Sequence, residues 1–322
     1  MAATTGRRPY AWSAGAVGVL LVGALTACGD DASSLEVGES ATGPAGVTGT
    51  AVEVRVPSGT ITVTVGSPVQ EIAAGSREVT APDGGALVPV SWSLDRYQTT
   101  GVTGFDAETE LAILAGDDAT ALTTITDAAT PATGSRVVAV DGTAAVDGVS
   151  ATYDGLEQVL GLDGSRDAGV AEQLYAPEAD GGDRDCSQGW RSVPQADLDL
   201  SCSVRTWTLP YLPGAGWADE GRTHVVVDQA LTLDAVTDEG EEYRATFVEG
   251  TAQVAGTDVD GAPFEEGRGG AGSFSVRLEA TDVEPSATWE VESEFELRSR
   301  VGRGPLDGRR VTLTGGGTVV GD

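Results

Sequence analysis

Thr50-Ala51-Val52-Glu53-Val54-Arg55-Val56-Pro57-Ser58-Gly59-Thr60-Ile61-Thr62-Val63-Thr64-Val65 is the stretch that decides the fold. Val52, Val54 and Val56 alternate with Glu53 and Arg55, and past Pro57-Ser58-Gly59 the residues Ile61, Val63 and Val65 alternate with threonines. Period two, β-branched side chains and a Pro/Gly turn describe two antiparallel strands with one face in a core and the other in water. The same pattern recurs downstream. Val88, Val90, Trp92 and Leu94 alternate, and Glu110–Leu114, Ala121–Ile125, Arg136–Val140 and Val149–Tyr153 are short candidates of the same kind. Leu156–Leu162 and Ala168–Tyr175 read as short helices, although neither holds a long 3.6 period.

Pro177–Asp185, with Glu178, Asp180, Asp183 and Asp185, reads as a linker or long loop. Beyond it come strand candidates at Val204–Leu209, Thr223–Leu233, Tyr243–Val248, Ser273–Leu278, Thr288–Leu297 and Arg310–Val320. Glu290, Glu292, Glu294 and Glu296 alternate with Val291, Phe295 and Leu297, which gives one acidic face and one mostly apolar face. Strands every 10 to 15 residues, separated by Gly, Pro and Asp, point to sandwiches. The expected fold is therefore mainly β, with two antiparallel immunoglobulin-like β-sandwich domains over 50–178 and 179–322. Each half has a strand, a Pro/Gly loop and a closing run of strong strands, so the halves read as diverged copies in layout. That layout resembles the telokin-like, immunoglobulin-like sandwiches of bacterial lipoproteins, and the resemblance carries no functional residue across.

Upstream of the hairpin the chain changes character. Arg7 and Arg8 precede Ala11–Ala27, a run of 17 residues without charge. This is the layout of a secretory signal, and it is shorter than the roughly 20 apolar residues of a membrane-spanning helix. Leu25-Thr26-Ala27-Cys28 resembles the lipobox of bacterial lipoproteins. The resemblance implies lipid on the Cys28 thiol, cleavage that leaves Cys28 first, and a membrane partner bound through that lipid on the outer face of the cytoplasmic membrane. The thiolate is the nucleophile able to carry a thioether-linked lipid. Residues 1–27 are then the signal peptide, and 28–49, rich in Gly, Ser, Ala, Thr and acids, a flexible tether of about 25 Å r.m.s. reach.

The chain contains no Lys, so all 19 basic residues are Arg against 50 acids. That composition resembles a high-G+C, actinobacterial-type genome. Loss of residues 1–27 leaves 17 arginines and 50 acids, a net charge of −33. A body so negative excludes nucleic acid as a partner and disfavours contact with anionic lipid. Cys186 and Cys202 are the other two cysteines, and in an exported chain two remaining thiols pair as a disulfide. A metal site is the alternative, but two Cys and the single His224 make a poor zinc set.

Chemistry is sparse. His224 in Arg222-Thr223-His224-Val225 has no marked nucleophile beside it in sequence, and a strand histidine filling a sandwich edge is the competing reading. Gly256-Thr257-Asp258-Val259-Asp260-Gly261 falls short of a calcium loop because the third acid and the bidentate Glu are missing. Trp190, Trp207, Tyr211 and Trp217, beside the cysteines, are candidate ligand contacts for a glycan or an envelope protein, or else packing around the disulfide. No cofactor and no catalytic residue are assigned. The expected function is a non-enzymatic binding or accessory module of the envelope. The alternatives are an envelope hydrolase using carboxylates or His224, and a structural spacer.

Overall fold

The computed structural model describes residues 33–319 except 75–76, 98–101, 103, 106, 127–132, 143–144, 177–182, 260–263, 268–270 and 300–308. Among the described residues, strand takes 69% and helix 4%, so the alternating pattern is realised as a mainly β, antiparallel fold. Cys28 and the rest of residues 1–32 lie outside the described residues. Among the described residues, no helix is long and apolar enough to cross a membrane.

The first half supplies β1 (Ser33–Ser34), β2 (Ser40–Thr42), β3 (Gly49–Val56), β4 (Gly59–Gly66), β5 (Glu71–Ala74), β6 (Arg77–Thr80) and β7 (Gly85–Arg96). It continues with β8 (Thr109–Ala115), β9 (Asp118–Ile125), β10 (Thr133–Asp141), β11 (Val146–Tyr153), β12 (Leu156–Gly161) and β13 (Arg166–Asp167). A five-stranded sheet in the order β2-β10-β7-β4-β3 packs on a second in the order β13-β12-β11-β8-β9. Val54, Ile61, Val63, Val90, Leu111, Ile113 and Val149 fill the space between them. The hairpin read from the sequence is present in register, with Val52 opposite Val63 and Val54 opposite Ile61.

Two expectations fail in this half. Residues 33–49 are not a free tether, because Ser33–Ser34 pairs with β6 and Ser40–Thr42 pairs with β10. Leu156–Gly161 is a strand, not a helix, because it lies along β11 with Leu156 opposite Tyr153. Its good helix formers are overridden by a place in the sheet. The second helix expectation holds, since Gly169–Tyr175 is a 3-10 helix. Short β1, β5 and β6 form a small sheet over one end of the outer face of the first sheet, covering Leu87, Val137 and Ala139.

The second half supplies β14 (Arg184–Asp185), β15 (Arg191–Val193), β16 (Asp197–Leu209), β17 (Tyr211–Leu212), β18 (Gly216–Trp217) and β19 (Thr223–Asp238). After these come β20 (Glu241–Val254), β21 (Thr257–Asp258), β22 (Phe264–Glu266), β23 (Ser273–Val283), β24 (Thr288–Ser299) and β25 (Arg309–Thr318). Ten of these strands belong to one curled sheet. The bend is made by β19, which lies along β16 on one side and divides its other side between two partners. Thr223–Thr232 pairs with β23, whereas Val236–Asp238 pairs with β20. Each partner leads into a different layer, and Phe274, Leu278, Trp289, Val291, Phe295 and Leu313 fill the interior. One curled sheet thus does here what two separate sheets do in the first half, so the halves are not copies in topology.

The open side of the curl is closed by a short segment. β14 pairs with β16, and β15 pairs with β25 on the far side. Only residues 186–190 separate the two strands. This crossing carries Cys186, whose disulfide to Cys202 ties it to β16 over a separation of 16 residues. It ends in Trp190, whose indole lies over Gly315 of β25 and donates from Nε1 to Cys202 Sγ at 3.3 Å. A methyl on Gly315 would sit 2.5–2.8 Å from three atoms of that indole, so glycine is required there.

Candidate functional site

The outer face of the first sheet changes character along its length. Where the small sheet covers it, it is apolar; beyond that cover it carries hydroxyls. Strand alternation sends Ile61 and Val63 inward, and Thr62 and Thr64 outward. Registry then aligns two lateral rows. Thr62 lies opposite Ser93 and Ser93 opposite Thr133; Thr64 lies opposite Ser91 and Ser91 opposite Ser135. The rows are about 6.8 Å apart along the strands, and hydroxyls within a row are about 4.8 Å apart.

A strap turns this face into a cleft. β2 lies outside β10 at one edge of the sheet, while β3 forms the other edge. Residues 43–48 must therefore cross β10, β7 and β4. Seven Cα steps reach about 24 Å at most, against about 19 Å for four strand spacings, so the strap has little slack. Gly43 donates its N–H to Ser135 O at 3.1 Å and lies against the Arg136 backbone, where a side chain would not fit. Pro44, Ala45 and Gly46 then form one wall over the two hydroxyl rows, enclosing about 380 Å³. Among the described residues, none that lines this cleft is ionisable. None of the six hydroxyls has a hydrogen-bond partner among the described residues. β4 and β7 are interior to the sheet and β10 is paired along β7, so the side-chain hydroxyls are most of what the floor offers.

The aromatic residues singled out from the sequence do not share a surface. Trp190 is 9% exposed and packs against the disulfide. Trp207 is half-buried beside Leu212 and Val226. Tyr211 and Trp217 belong to the hairpin β17–β18, which inserts into the core of the first half. There the Tyr211 ring meets Tyr153 edge-on at 5.2 Å and Trp217 at 5.2 Å. Trp217 donates from Nε1 to the Tyr153 carbonyl at 2.9 Å. These two residues join the two cores.

His224 is 2% exposed. Its Nδ1 accepts from the Asp282 N–H at 3.2 Å, so Nε2 carries the proton and donates to the Gly216 carbonyl at 3.0 Å. Burial holds its pKa below the ordinary histidine value. Both ring nitrogens are committed to backbone, and the ring acts as a clamp between β19, the Gly216 turn and the end of β23.

The acidic candidates are also engaged. The Ser187 side chain and its N–H, the latter at 2.8 Å, both donate to Asp185 and hold its carboxyl below the usual range. Asp183 pairs with Arg205. Asp258 accepts from Gln253 Nε2 at 2.7 Å in the turn between β20 and β21. Glu178, Asp180, Asp260 and Gly261 lie outside the described residues. Among the described residues, no group of three His, Cys, Asp or Glu could hold a metal.

No protein family, curated protein or solved structure matches the chain. The sequence reading missed the cleft because it treated the threonines of Gly59–Gly66 only as a wet strand face. Their alternation was the available signal, and the strap that encloses them depends on strand order.

Proposed function

We propose that this protein is a lipid-anchored, non-enzymatic binding module of the cell envelope, and that the strapped cleft on the first sheet is where it binds. The single observation behind the binding part is the row of unpaired hydroxyls under Pro44–Gly46, in a cleft without a charged lining residue. Supporting the anchored part is the sequence Leu25-Thr26-Ala27-Cys28 behind an uncharged run. The large negative charge favours a body that stands off anionic lipid.

The test has two arms. Cells expressing the full chain are fed an alkyne fatty acid, with Cys28→Ser as control; the label should enter the wild type and be absent from the variant. Label in both, or in neither, overturns the anchor. Isolated envelope fragments are then sedimented with the purified full chain and with Ser91→Arg, which fills the cleft with a side chain and a charge. Equal co-sedimentation of the two, with both folded by circular dichroism, overturns the cleft as the binding site.

A further inference from the structure

We infer that the cleft receives a neutral polyhydroxylated chain, a short stretch of uncharged glycan. The inference rests on the cleft being a binding site, and it adds the chemistry of the occupant. Three features of the lining select it. The floor offers mainly side-chain hydroxyls, because β4 and β7 are interior strands with paired backbones and β10 is paired along β7, with β2 joining it only from Arg136 onward. A peptide that binds by adding a strand needs a run of free backbone groups at an edge, and here only the first residues of β10, ahead of its pairing with β2, lie open on one side, too short a run for a strand. A Ser or Thr hydroxyl both donates and accepts and rotates to suit its partner. Sugar hydroxyls have the same double character, so two facing sets can satisfy each other without a fixed donor pattern.

Charge gives the second selection. The cleft has no ionisable lining residue, and the protein around it carries a net charge of −31 in the full chain. An anionic chain would meet a repulsive field with no arginine to pair with, and a cationic one would lose hydration with no carboxylate in contact. Neutral ligands escape both costs. The third selection is size. Two rows of three hydroxyls, Thr62–Ser93–Thr133 and Thr64–Ser91–Ser135, make a grid that a short oligosaccharide covers and a single small polyol does not. The strap walls one side of this grid, so the chain would lie along the cleft beside Pro44–Gly46.

The expected binding is weak, with Kd on the order of 0.1–1 mM, since each neutral hydrogen bond contributes modestly in water. The purified full chain is titrated with cellotetraose, maltotetraose and chitotetraose. Tetragalacturonate serves as the anionic counterpart and an acetylated tetra-alanine amide as the peptide probe. Amide chemical shifts of Thr62, Thr64, Ser91 and Ser135 are followed. The expected result is saturable shifts at these residues with at least one neutral tetrasaccharide and none with tetragalacturonate. The double variant Thr64→Val, Ser91→Ala keeps shape and should weaken that binding about tenfold. Absence of shifts with all three neutral sugars overturns the inference, as does binding unchanged by the double variant. Peptide binding in the same residues overturns the glycan class, and tetragalacturonate binding overturns its neutrality, each leaving the cleft as a binding site. Failure of Ser91→Arg to alter envelope co-sedimentation removes the cleft itself, which keeps the two failures apart.

Discussion

Removal of the Cys186–Cys202 disulfide tests how the second core is held shut. The bond closes a separation of 16 residues, for which the chain-entropy relation gives about 3 kcal/mol. Trp190 Nε1 and Gln229 Nε2 also point at Cys202 Sγ, at 3.3 and 3.6 Å, so their contacts weaken with it. For a chain of this size, 3 kcal/mol corresponds to a fall in Tm of about 6–12 °C. The measurement is urea and thermal denaturation of the oxidised protein, the dithiothreitol-reduced protein and the Cys186→Ala, Cys202→Ala variant. The last two should agree. Hydrogen exchange should quicken first in Arg191–Val193 and Arg309–Thr318, because the crossing that pairs them loses its tie to β16. Exchange in Gly59–Gly66, in the other core, should change least. A loss below about 1 kcal/mol, or exchange that quickens equally in both cores, would refute the argument that this bond closes the curl.

Three further outcomes follow from the geometry. Gly315→Ala should cost about 1–3 kcal/mol, because its methyl would meet the Trp190 ring; a double-mutant cycle with Trp190→Leu should show that cost largely relieved. For His224, burial lowers the folded-state pKa below that of the unfolded chain, so its contribution is complete above about pH 6.5 and is lost as pH falls from there through the lower folded-state value. The urea midpoint of wild type should therefore fall between pH 7 and pH 5 more than that of His224→Gln. Tyr175→Phe should cost about 1–2 kcal/mol. It removes a hydroxyl that accepts from Arg55 N–H at 3.0 Å and donates to Gln158 Oε1 at 2.8 Å. Gln158 is fully buried, and its Nε2 donates to Arg55 O, so the edge of β3 at Arg55 is sealed by side chains. Limited proteolysis should then cut sooner within Gly169–Tyr175.

The elements legible in sequence are those whose signal is local. Val52–Val65 alternates cleanly because each strand buries one face, and Asp228–Leu233 does the same, whereas Thr223–Val227 is buried on both faces. Leu156–Gly161 was opaque because its residue types favour helix while its pairing with β11 is set by a neighbour. Residues 33–49 were opaque for a different reason: β1 and β2 are held mainly by backbone pairing, which leaves no apolar period to read. The disulfide was legible by counting cysteines. The cleft was not, since it requires β2 and β3 to lie on opposite edges of one sheet, a fact no single stretch carries. The cluster of Trp190, Trp207, Tyr211 and Trp217 looked like one surface because the residues are near in sequence. Strand direction sends them to different places.

The β17–β18 hairpin also bears on how such a chain can evolve. Tyr211 and Trp217 come from the second half, yet they complete the packing around Tyr153 in the first. A gene cut near residue 178 would yield a first half with an aromatic-sized hole and a second half with two stranded rings. Recombination that swaps one half for an unrelated β domain would break both at once. The two halves should therefore be inherited as a pair, and gene splitting between their cores should be selected against.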